Sequence, residues 1–332
     1  MKHINVALFV PDEGCPHRCS FCNQKTISGK TKKLTTDDID KAVKIALENS
    51  DGKGEIAFFG GSFTAIEKTY MLSLLERAKM YIDKGLFKGI RISTRPDCID
   101  EEVLSILKKY GVTSIELGCQ SMSDKVLLKN GRGHTAEDVI NAAELIKGYG
   151  FELGVQMMTG LYGDSDEESI KTAEKLIALS PDTVRIYPTV VLEGTKLSEL
   201  YRKGEYKPQT VDEAAELCAR LIPMFEEKGI RIIRLGLHSG GNVEEGFVAG
   251  AYHPAFREIC ESKIYLRKIL ETVKSENIPK GDITLTVNGK CVSALVGQKR
   301  SNTEKLRSMG YNCKILQDSS YKKYDVSVRL TK

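Results

Sequence analysis

The sequence lacks any apolar run that approaches the roughly 20 residues needed to cross a bilayer, so we expect no membrane-spanning helix. It also lacks the charged and then apolar opening of a secretory signal, because it begins directly in a strand-like segment. The protein is therefore expected in the cytoplasm, where its nine cysteines stay reduced. A net charge of +4 permits an anionic partner without requiring one. The 332 residues suffice for one large domain or two smaller ones.

A fourth ligand is also missing beside a tight cysteine cluster. Cys15, Cys19 and Cys22 follow a strand-like run, and the next cysteine is Cys98. A structural zinc site uses four ligands, and a cluster that only transfers electrons is usually held by four cysteines. Three thiolates on a four-iron cluster leave one iron open for another ligand. A zinc site completed by His17 is the alternative, although a histidine between two of the cysteines is poorly placed for it.

The rest of the chain alternates between strand-like and helix-like segments. Six short apolar runs and the helical patterns between them indicate parallel strands joined by right-handed crossovers. Six units are too few for a complete eight-stranded barrel, so we predict an α/β fold that is a partial six-unit (β/α) barrel. The predicted strands are Ile4–Val10, Glu55–Phe59, Gly89–Thr94, Val112–Gly118, Glu152–Met158 and Thr183–Tyr187.

The pattern changes after about residue 230. Ile230–Leu235 predicts one more strand, a helix from about Pro254 to Ser275 follows, and Pro279 marks a boundary. The predicted domains are a partial barrel over residues 1–235, a helical extension over 236–278 and a small α+β domain over 279–332. The elements predicted in the last domain are strands Ile283–Val287 and Cys291–Val296, helix Asn302–Met309, and strands Cys313–Leu316 and Tyr324–Leu330.

Glycines and polar residues follow the predicted strands of the barrel. The active site of a strand–helix barrel is built at the carboxyl ends of its strands, so we predict that these residues meet at one mouth. Tyr187 and Cys119 are the candidates for catalytic roles there. The other residues at predicted strand ends are Gly60, Gly61, Ser62, Thr94, Arg95, Gln120, Ser121 and Gln156.

The cysteine triplet, with Phe21 before its last cysteine, resembles the signature of the radical S-adenosylmethionine (radical SAM) enzymes. The resemblance implies that Cys15, Cys19 and Cys22 hold a 4Fe–4S cluster. In that family the open iron binds SAM and cleaves it reductively to a 5′-deoxyadenosyl radical. The resemblance also implies an external electron donor of the flavodoxin or ferredoxin type.

Gly60 and Gly61 then resemble the glycine motif of that family, whose backbone binds the amino group of SAM. Turn chemistry alone is the alternative reason for two glycines after a strand. On the basis of the resemblance, we assign cofactor binding to Gly60, Gly61, Ser62, Thr94, Arg95, Gln120, Ser121 and Gln156.

A narrower resemblance, to the radical domain of the Elongator catalytic subunit family, covers roughly Thr94 to Lys207. It implies modification of a nucleoside in RNA, since that family modifies wobble uridines of transfer RNA using acetyl-CoA. The loop between the first two cysteines is shorter here, and only about 50 residues follow Pro279, too few for that family's acetyltransferase domain. The use of acetyl-CoA therefore stays open. The motifs are Thr94–Asp97, Gly118–Ser121, Asn130–Thr135, Tyr187–Thr195 and Leu200–Lys207.

Basic residues indicate where an RNA such as transfer RNA would bind. Lys32 and Lys33 follow the cysteine loop, and Lys299 and Arg300 lie at a predicted strand-to-helix turn. Two cations at the start of a helix suit a phosphate. The turn loosely resembles a KH-type RNA-binding loop without its second glycine.

Two other functions stay open on the sequence alone. One is a coproporphyrinogen-oxidase-like radical enzyme acting on a small acidic substrate. It shares the Gly-x-Gln-Ser and Arg-x-His-Thr motifs, but its usual Tyr-x-His-Ile-Pro-Phe opening is absent here. The other is a non-catalytic iron–sulfur scaffold that binds RNA, and the glycine pair argues against it. For Arg132 and His134, a role in holding the start of a helix is the alternative to a site role.

Overall fold

The fold is that of a computed structural model, which describes residues 5–10, 15, 18–29, 32–49, 54–237 and 241–331. These residues form two compact units. Unit 1 comprises Met1–Gln209 and Met224–Ala251, and unit 2 comprises Thr210–Pro223 and Tyr252–Lys332. The three-domain division stays a prediction. Within the described ranges, no helix is long and apolar enough to cross a membrane.

The strands and helices alternate through most of the chain. The strands are β1 Val6–Val10, β2 Glu55–Gly60, β3 Gly89–Thr94, β4 Val112–Gln120, β5 Glu152–Thr159, β6 Thr183–Pro188, β7 Val190–Leu192, β8 Arg231–Leu235, β9 Phe247–Gly250, β10 Gly281–Val287, β11 Tyr311–Gln317 and β12 Val326–Leu330. The helices are α1 Gln24–Ser28, α2 Thr36–Asn49, α3 Lys68–Asp83, α4 Glu101–Lys109, α5 Asp124–Lys129, α6 Ala136–Gly148, α7 Asp166–Ala178, α8 Lys196–Arg202, α9 Val211–Glu226, α10 Gly241–Glu245, α11 Phe256–Ser275, α12 Val292–Val296 and α13 Ser301–Ser308.

Unit 1 is built on a seven-stranded parallel sheet in the order β1-β2-β3-β4-β5-β6-β8. The sheet follows chain order because a helical crossover separates each strand from the next. The predicted fold class, a partial (β/α) barrel, is thus confirmed. The further strand predicted over Ile230–Leu235 is β8, at the edge of the sheet.

One face of this sheet is apolar, as packing against the crossover helices requires, whereas the opposite face carries buried charged side chains such as Arg91 and Glu116. Ile56, Phe58, Ile90, Ile92 and Leu117 have no exposed surface. Each such side chain contributes about 1.5–3 kcal/mol to folding through burial. The carboxyl ends of the strands are therefore held by a rigid core.

Side-chain caps begin two helices next to the predicted site. Asp100 accepts a hydrogen bond from Val103 N at 2.7 Å and caps α4. Thr135 and Asp138 form a reciprocal capping box at the start of α6. These caps fix where the loops after β3 and α5 end.

Unit 2 contains a three-stranded sheet in the order β11-β10-β12, with β10 parallel to β11 and antiparallel to β12. The strand predicted over Cys291–Val296 is wrong, because α12 occupies residues 292–296. A short apolar run does not distinguish a strand from a buried helical turn. In the structure Leu295 is fully buried, and the side-chain amide of Asn302 donates to Leu295 O at 2.9 Å.

Candidate active site

Hydrogen bonds join the carboxyl ends of the first three strands. Gly61 N donates to Val10 O at 3.1 Å, which ties the end of β2 to β1. The hydroxyl oxygens of Ser62 and Thr94 are 2.8 Å apart, and Arg95 N donates to Ser62 Oγ at 3.3 Å. The structure therefore brings the glycine motif after β2 and the Thr-Arg motif after β3 to one polar edge.

The three cysteine thiols form one electrostatic group beside this edge. The Cys15 thiol accepts a hydrogen bond from the Ser62 backbone. Although Cys15 is exposed as a residue, desolvation of its thiol raises its pKa, and the charge of Cys19 raises it further. Burial and then the charge of Cys19 raise the pKa of Cys22 to about 12. Three thiolates at this place therefore need a nearby positive charge.

This donor set fits an iron–sulfur cluster. Such clusters are held by thiolates, and the iron ions supply the positive charge that crowded thiolates need. Within the described ranges, no three His, Cys, Asp or Glu side chains are already gathered closely enough to hold a metal ion. His17, the fourth ligand of the zinc alternative, lies outside the described residues.

Two loops hold the backbone of the cysteine loop in place. Ser20 N donates to Asn130 O at 3.0 Å, and Ser20 Oγ donates to Asn130 Oδ1 at 2.6 Å. On the other side, Leu197 N donates to Ser20 O at 2.8 Å. Asn23 Nδ2 donates to Glu193 O at 2.8 Å. Two of the motifs that resemble the Elongator family thus position the cysteines.

Arg132 and His134 belong to the same stretch and are both buried. Arg132 Nη1 donates to Cys19 Sγ at 3.2 Å, and its Nη2 donates to Gly118 O at 2.6 Å. His134 Nε2 lies 3.2 Å from Cys119 O and donates to this carbonyl. Burial, and then the charge of Arg132, lowers the pKa of His134 to about 4, so the ring is neutral at pH 7. Arg132 contacts the site directly, and Thr135 rather than these two residues caps α6.

An irregularity at Cys119 shapes the end of β4. The pairing of β4 with β5 shifts between Gly118 and Gln120, and Gln120 has a φ of 66°. This left-handed conformation is uncommon for a residue other than glycine and is typical of functional sites. Gln156 Nε2 donates to Gln120 Oε1 at 3.2 Å, so the two predicted glutamines are brought together.

Two other predicted site residues at the end of β4, Cys119 and Ser121, form hydrogen bonds within the protein. Cys119 has no exposed surface, its thiol donates to Leu117 O at 3.4 Å, and burial raises its pKa to about 12. These contacts do not favour a catalytic role for Cys119. Ser121 Oγ accepts a hydrogen bond from Ser123 N at 3.1 Å and lies 3.3 Å from Thr172 Oγ1, so it holds the turn after β4.

Tyr187 lies beside a buried charge network that the sequence reasoning missed. Arg185 Nη1 donates to the Tyr187 hydroxyl at 3.4 Å, and Nη2 donates to Glu116 Oε1 at 2.9 Å. Burial lowers the pKa of Arg185, but the charges and hydrogen bonds of Glu116 and Tyr187 together raise it by more, so the net pKa is raised. Charged residues within otherwise apolar strand sequences, such as Glu116 in β4, are the feature from which this network could have been predicted.

The predicted RNA-binding cations lie in both units. Lys32 and Lys33 are exposed in unit 1, and Lys33 Nζ lies 3.9 Å from the ring centroid of Tyr70. Lys299 and Arg300 are exposed in unit 2, in the loop between α12 and α13. Their role in RNA binding stays a prediction.

Replacing Gly60 by alanine is expected to destabilise the protein by more than the same change at Gly85. Both glycines have a positive φ, of 121° and 70°, so alanine at either costs about 1–3 kcal/mol in backbone strain. A Cβ at residue 60 would also lie 2.4 Å from Val10 O, whereas at residue 85 it meets nothing within 4 Å. Thermal unfolding of the two variants measures the difference, and equal destabilisation would contradict this close approach.

Comparison with known families agrees with this geometry. The model of the radical SAM superfamily matches residues 10–176, and that of the radical SAM C-terminal domain matches residues 181–266. An uncharacterized protein of Methanocaldococcus jannaschii is 35% identical over 216 residues, which cover 60% of this chain and 65% of the relative. The tRNA uridine(34) acetyltransferase of the same archaeon is 29% identical over 256 residues, which cover 64% and 47%.

Similarity extends to a eukaryotic protein and to a solved structure. Human Elongator complex protein 3 is 32% identical over 198 residues, covering 54% of this chain and 36% of the relative. The chain thus spans between about a third and two thirds of the length of these curated relatives. The structure of Methanocaldococcus infernus Elp3 with an N-terminal deletion matches this chain with a TM-score of 0.62 and 23% identity. The match covers 84% of this chain and 69% of the other chain, and it supports the fold. The chain therefore belongs to the radical SAM superfamily, and it is an enzyme whose cofactors are a 4Fe–4S cluster and S-adenosylmethionine.

Proposed function

We propose that this radical SAM enzyme modifies a nucleoside in transfer RNA. The observation that carries the proposal is the attachment of the cysteine loop. Asn130, which binds Ser20, and Glu193, whose carbonyl accepts from Asn23, lie in motifs that resemble the Elongator family. Relatives that align over 64% of the chain are named for action on a transfer RNA uridine.

In this proposal Cys15, Cys19 and Cys22 hold the cluster. When bound, the cluster supplies the electron that cleaves SAM into methionine and a 5′-deoxyadenosyl radical. Gly60 and Gly61 let the backbone come close to the amino group of SAM, since neither carries a side chain. The protein thus contributes positioning and exclusion of water, while the radical chemistry belongs to the cofactors. An electron donor of the flavodoxin or ferredoxin type stays a prediction.

The polar residues at the strand ends have different roles in this proposal. Gln120 and Gln156 present amide groups, which can donate to and accept from a ribose or the edge of a base. Ser121 keeps the turn after β4 in place, since its hydroxyl accepts from Ser123 N. The Tyr187 hydroxyl, oriented by Arg185, is the substrate contact on β6.

The composition of the C-terminal segment supports an RNA substrate. Residues 279–332 contain eleven Lys and Arg against four Asp and Glu, a net charge of +7 in a chain whose total is +4. Such a segment attracts a polyanion, because neutralising phosphates releases condensed counterions. Unit 2 therefore carries its own electrostatic surface for RNA.

The loop between α12 and α13 is the place in unit 2 where we expect phosphates to bind. Gly297 packs so closely that a Cβ would lie 2.8 Å from Ser262 Oγ, and Arg300 has a φ of 64°. The loop lies between the helices α12 and α13. Arg300 adopts a left-handed conformation, which the second glycine of a KH-type loop would adopt easily and which this loop reaches without that glycine. Across the described part of the chain, the side chains of Lys299 and Arg300 form no ion pair, which leaves both charges available.

Wild-type protein is expected to bind bulk transfer RNA with an affinity that falls steeply as salt rises. Changing Lys299→Glu and Arg300→Glu together should weaken binding about tenfold or more at low salt. It should also reduce the slope of log affinity against log salt by about 1.4–1.8, as the loss of two phosphate contacts requires. Fluorescence anisotropy measures both quantities.

The matched control changes Lys314→Glu and Arg329→Glu, two exposed residues of the sheet in unit 2 with the same total charge change. An equal loss of affinity in the control would show a general charge effect instead of binding at the loop. If wild-type protein binds no transfer RNA at low salt, and no transfer RNA nucleoside changes mass after incubation with SAM and dithionite, the proposed function is wrong. A small-molecule substrate would then be favoured.

A further inference from the structure

Arg132 is buried, and no carboxylate of the described residues pairs with its guanidinium. Its residue is 6% exposed, and its described contacts through the guanidinium are with Cys19 Sγ and Gly118 O. The Nε atom is buried and has no hydrogen-bond partner in the described part of the chain. The other buried arginines near the barrel mouth and interior, Arg91 and Arg95, each contact at least one carboxylate.

A buried guanidinium without a counter-charge is costly, since desolvation of a charge is offset only by pairing and hydrogen bonding. Among the described residues, the group that can offset the charge of Arg132 is the one its guanidinium contacts, the sulfur of Cys19. As a thiolate ligand of the cluster, this sulfur carries the negative charge that the guanidinium requires.

The backbone around Arg132 holds the guanidinium in this position. Arg132 N donates to Leu127 O at 3.0 Å, and the guanidinium of Arg95 donates to Arg132 O. The flanking residues Gly131 and Gly133 have φ values of 62° and 74°, which favour glycine and give the loop its turn. The contact with Cys19 is therefore built into the loop after α5.

We propose that Arg132 is a positioning residue of the cluster, whose hydrogen bond and charge at Cys19 Sγ raise the reduction potential of the 4Fe–4S centre. Hydrogen bonds to the sulfurs and the net charge around a cluster are among the factors that set its potential. A donor with a full positive charge stabilises the reduced, more negative state. Arg132 thereby makes the one-electron reduction that precedes SAM cleavage more favourable.

This inference concerns the cluster and does not rest on an RNA substrate. The test uses the full chain, reconstituted anaerobically with iron and sulfide. The midpoint potential is measured by titration with dithionite, followed by electron paramagnetic resonance of the reduced cluster. Iron content and thermal unfolding confirm that each variant is loaded and folded.

Arg132→Gln removes the charge, and its potential is expected to shift to more negative values than that of wild type. Arg132→Lys keeps the charge but loses the planar fork, so its shift should have the same sign and be smaller. Arg91→Lys is the matched control, because Arg91 is equally buried but bonds to Glu55, Glu116 and Glu152 and to no cysteine in the described residues. Its potential should equal that of wild type.

An unchanged potential in loaded Arg132→Gln protein would overturn the proposal, as would an equal shift in Arg91→Lys. If Arg132→Gln folds but takes up no cluster, the titration of Arg132→Lys decides. A potential there that is unchanged or more positive than in wild type would overturn the proposal. The formation of 5′-deoxyadenosine without any RNA should fall in the same order as the potentials.

Discussion

Replacement of Cys15, Cys19 and Cys22 together by alanine is expected to abolish the 4Fe–4S cluster and all cleavage of SAM. Anaerobically reconstituted wild-type protein should hold about four irons and four sulfides and show the brown absorption of such a cluster. Burial and then the charge of Cys19 raise the pKa values of Cys15 and Cys22, which places the three thiols close enough to act as one ligand set. Iron and sulfide assays, together with chromatography of 5′-deoxyadenosine and methionine after addition of dithionite, measure the loss.

A double variant provides the control. Cys291 and Cys313 are half-buried free cysteines of unit 2, and their replacement by alanine should leave cluster and cleavage intact. Retention of the cluster by the Cys15, Cys19 and Cys22 variant would contradict the assignment, and so would preferential binding of zinc by the wild type. A fully loaded wild type that forms neither product would support the non-catalytic scaffold.

The sheet of unit 1 could be predicted from sequence because its strands are short, apolar and separated by helical patterns. β3 has the predicted bounds, Gly89–Thr94, and β5 differs by one residue at its end. The strand prediction over Cys291–Val296 was wrong because this short segment lacks a clear pattern. A five-residue apolar helix that buries Leu295 shows no period that separates it from a strand.

The site was predictable only in part, for a related reason. Cysteines and glycines at strand ends are visible in one sequence, because their types and spacing carry the signal. The partner of Ser20 is not visible, since Asn130 lies 110 residues away and their contact depends on the fold. Likewise, only the register of β4 and β6 shows that Glu116 faces Arg185.

The buried charge network provides the second large expected effect. Glu116, whose side chain is 2% exposed, accepts from Arg91 Nη1 at 3.3 Å and from Arg185 Nη2 at 2.9 Å. Arg91 also contacts Glu55 and Glu152. For Arg185, Glu116 is the carboxylate partner that the described part of the chain provides. Its guanidinium carbon also lies 4.8 Å from the ring centroid of Phe59.

Changing Glu116→Ala is therefore expected to lower the free energy of unfolding by about 3–5 kcal/mol, the cost of leaving a buried charge without its partner. Glu152→Ala is the matched control, because the Glu152 side chain is 30% exposed and its removal leaves Arg91 with two carboxylates. The control should lose clearly less, since water screens a half-exposed charge. Glu116→Gln, which keeps an acceptor but not the charge, should fall between the two. Urea unfolding of the full chain, followed by circular dichroism, measures the free energy of unfolding of all three variants. If Glu116→Ala loses no more stability than Glu152→Ala, Arg185 does not depend on this carboxylate.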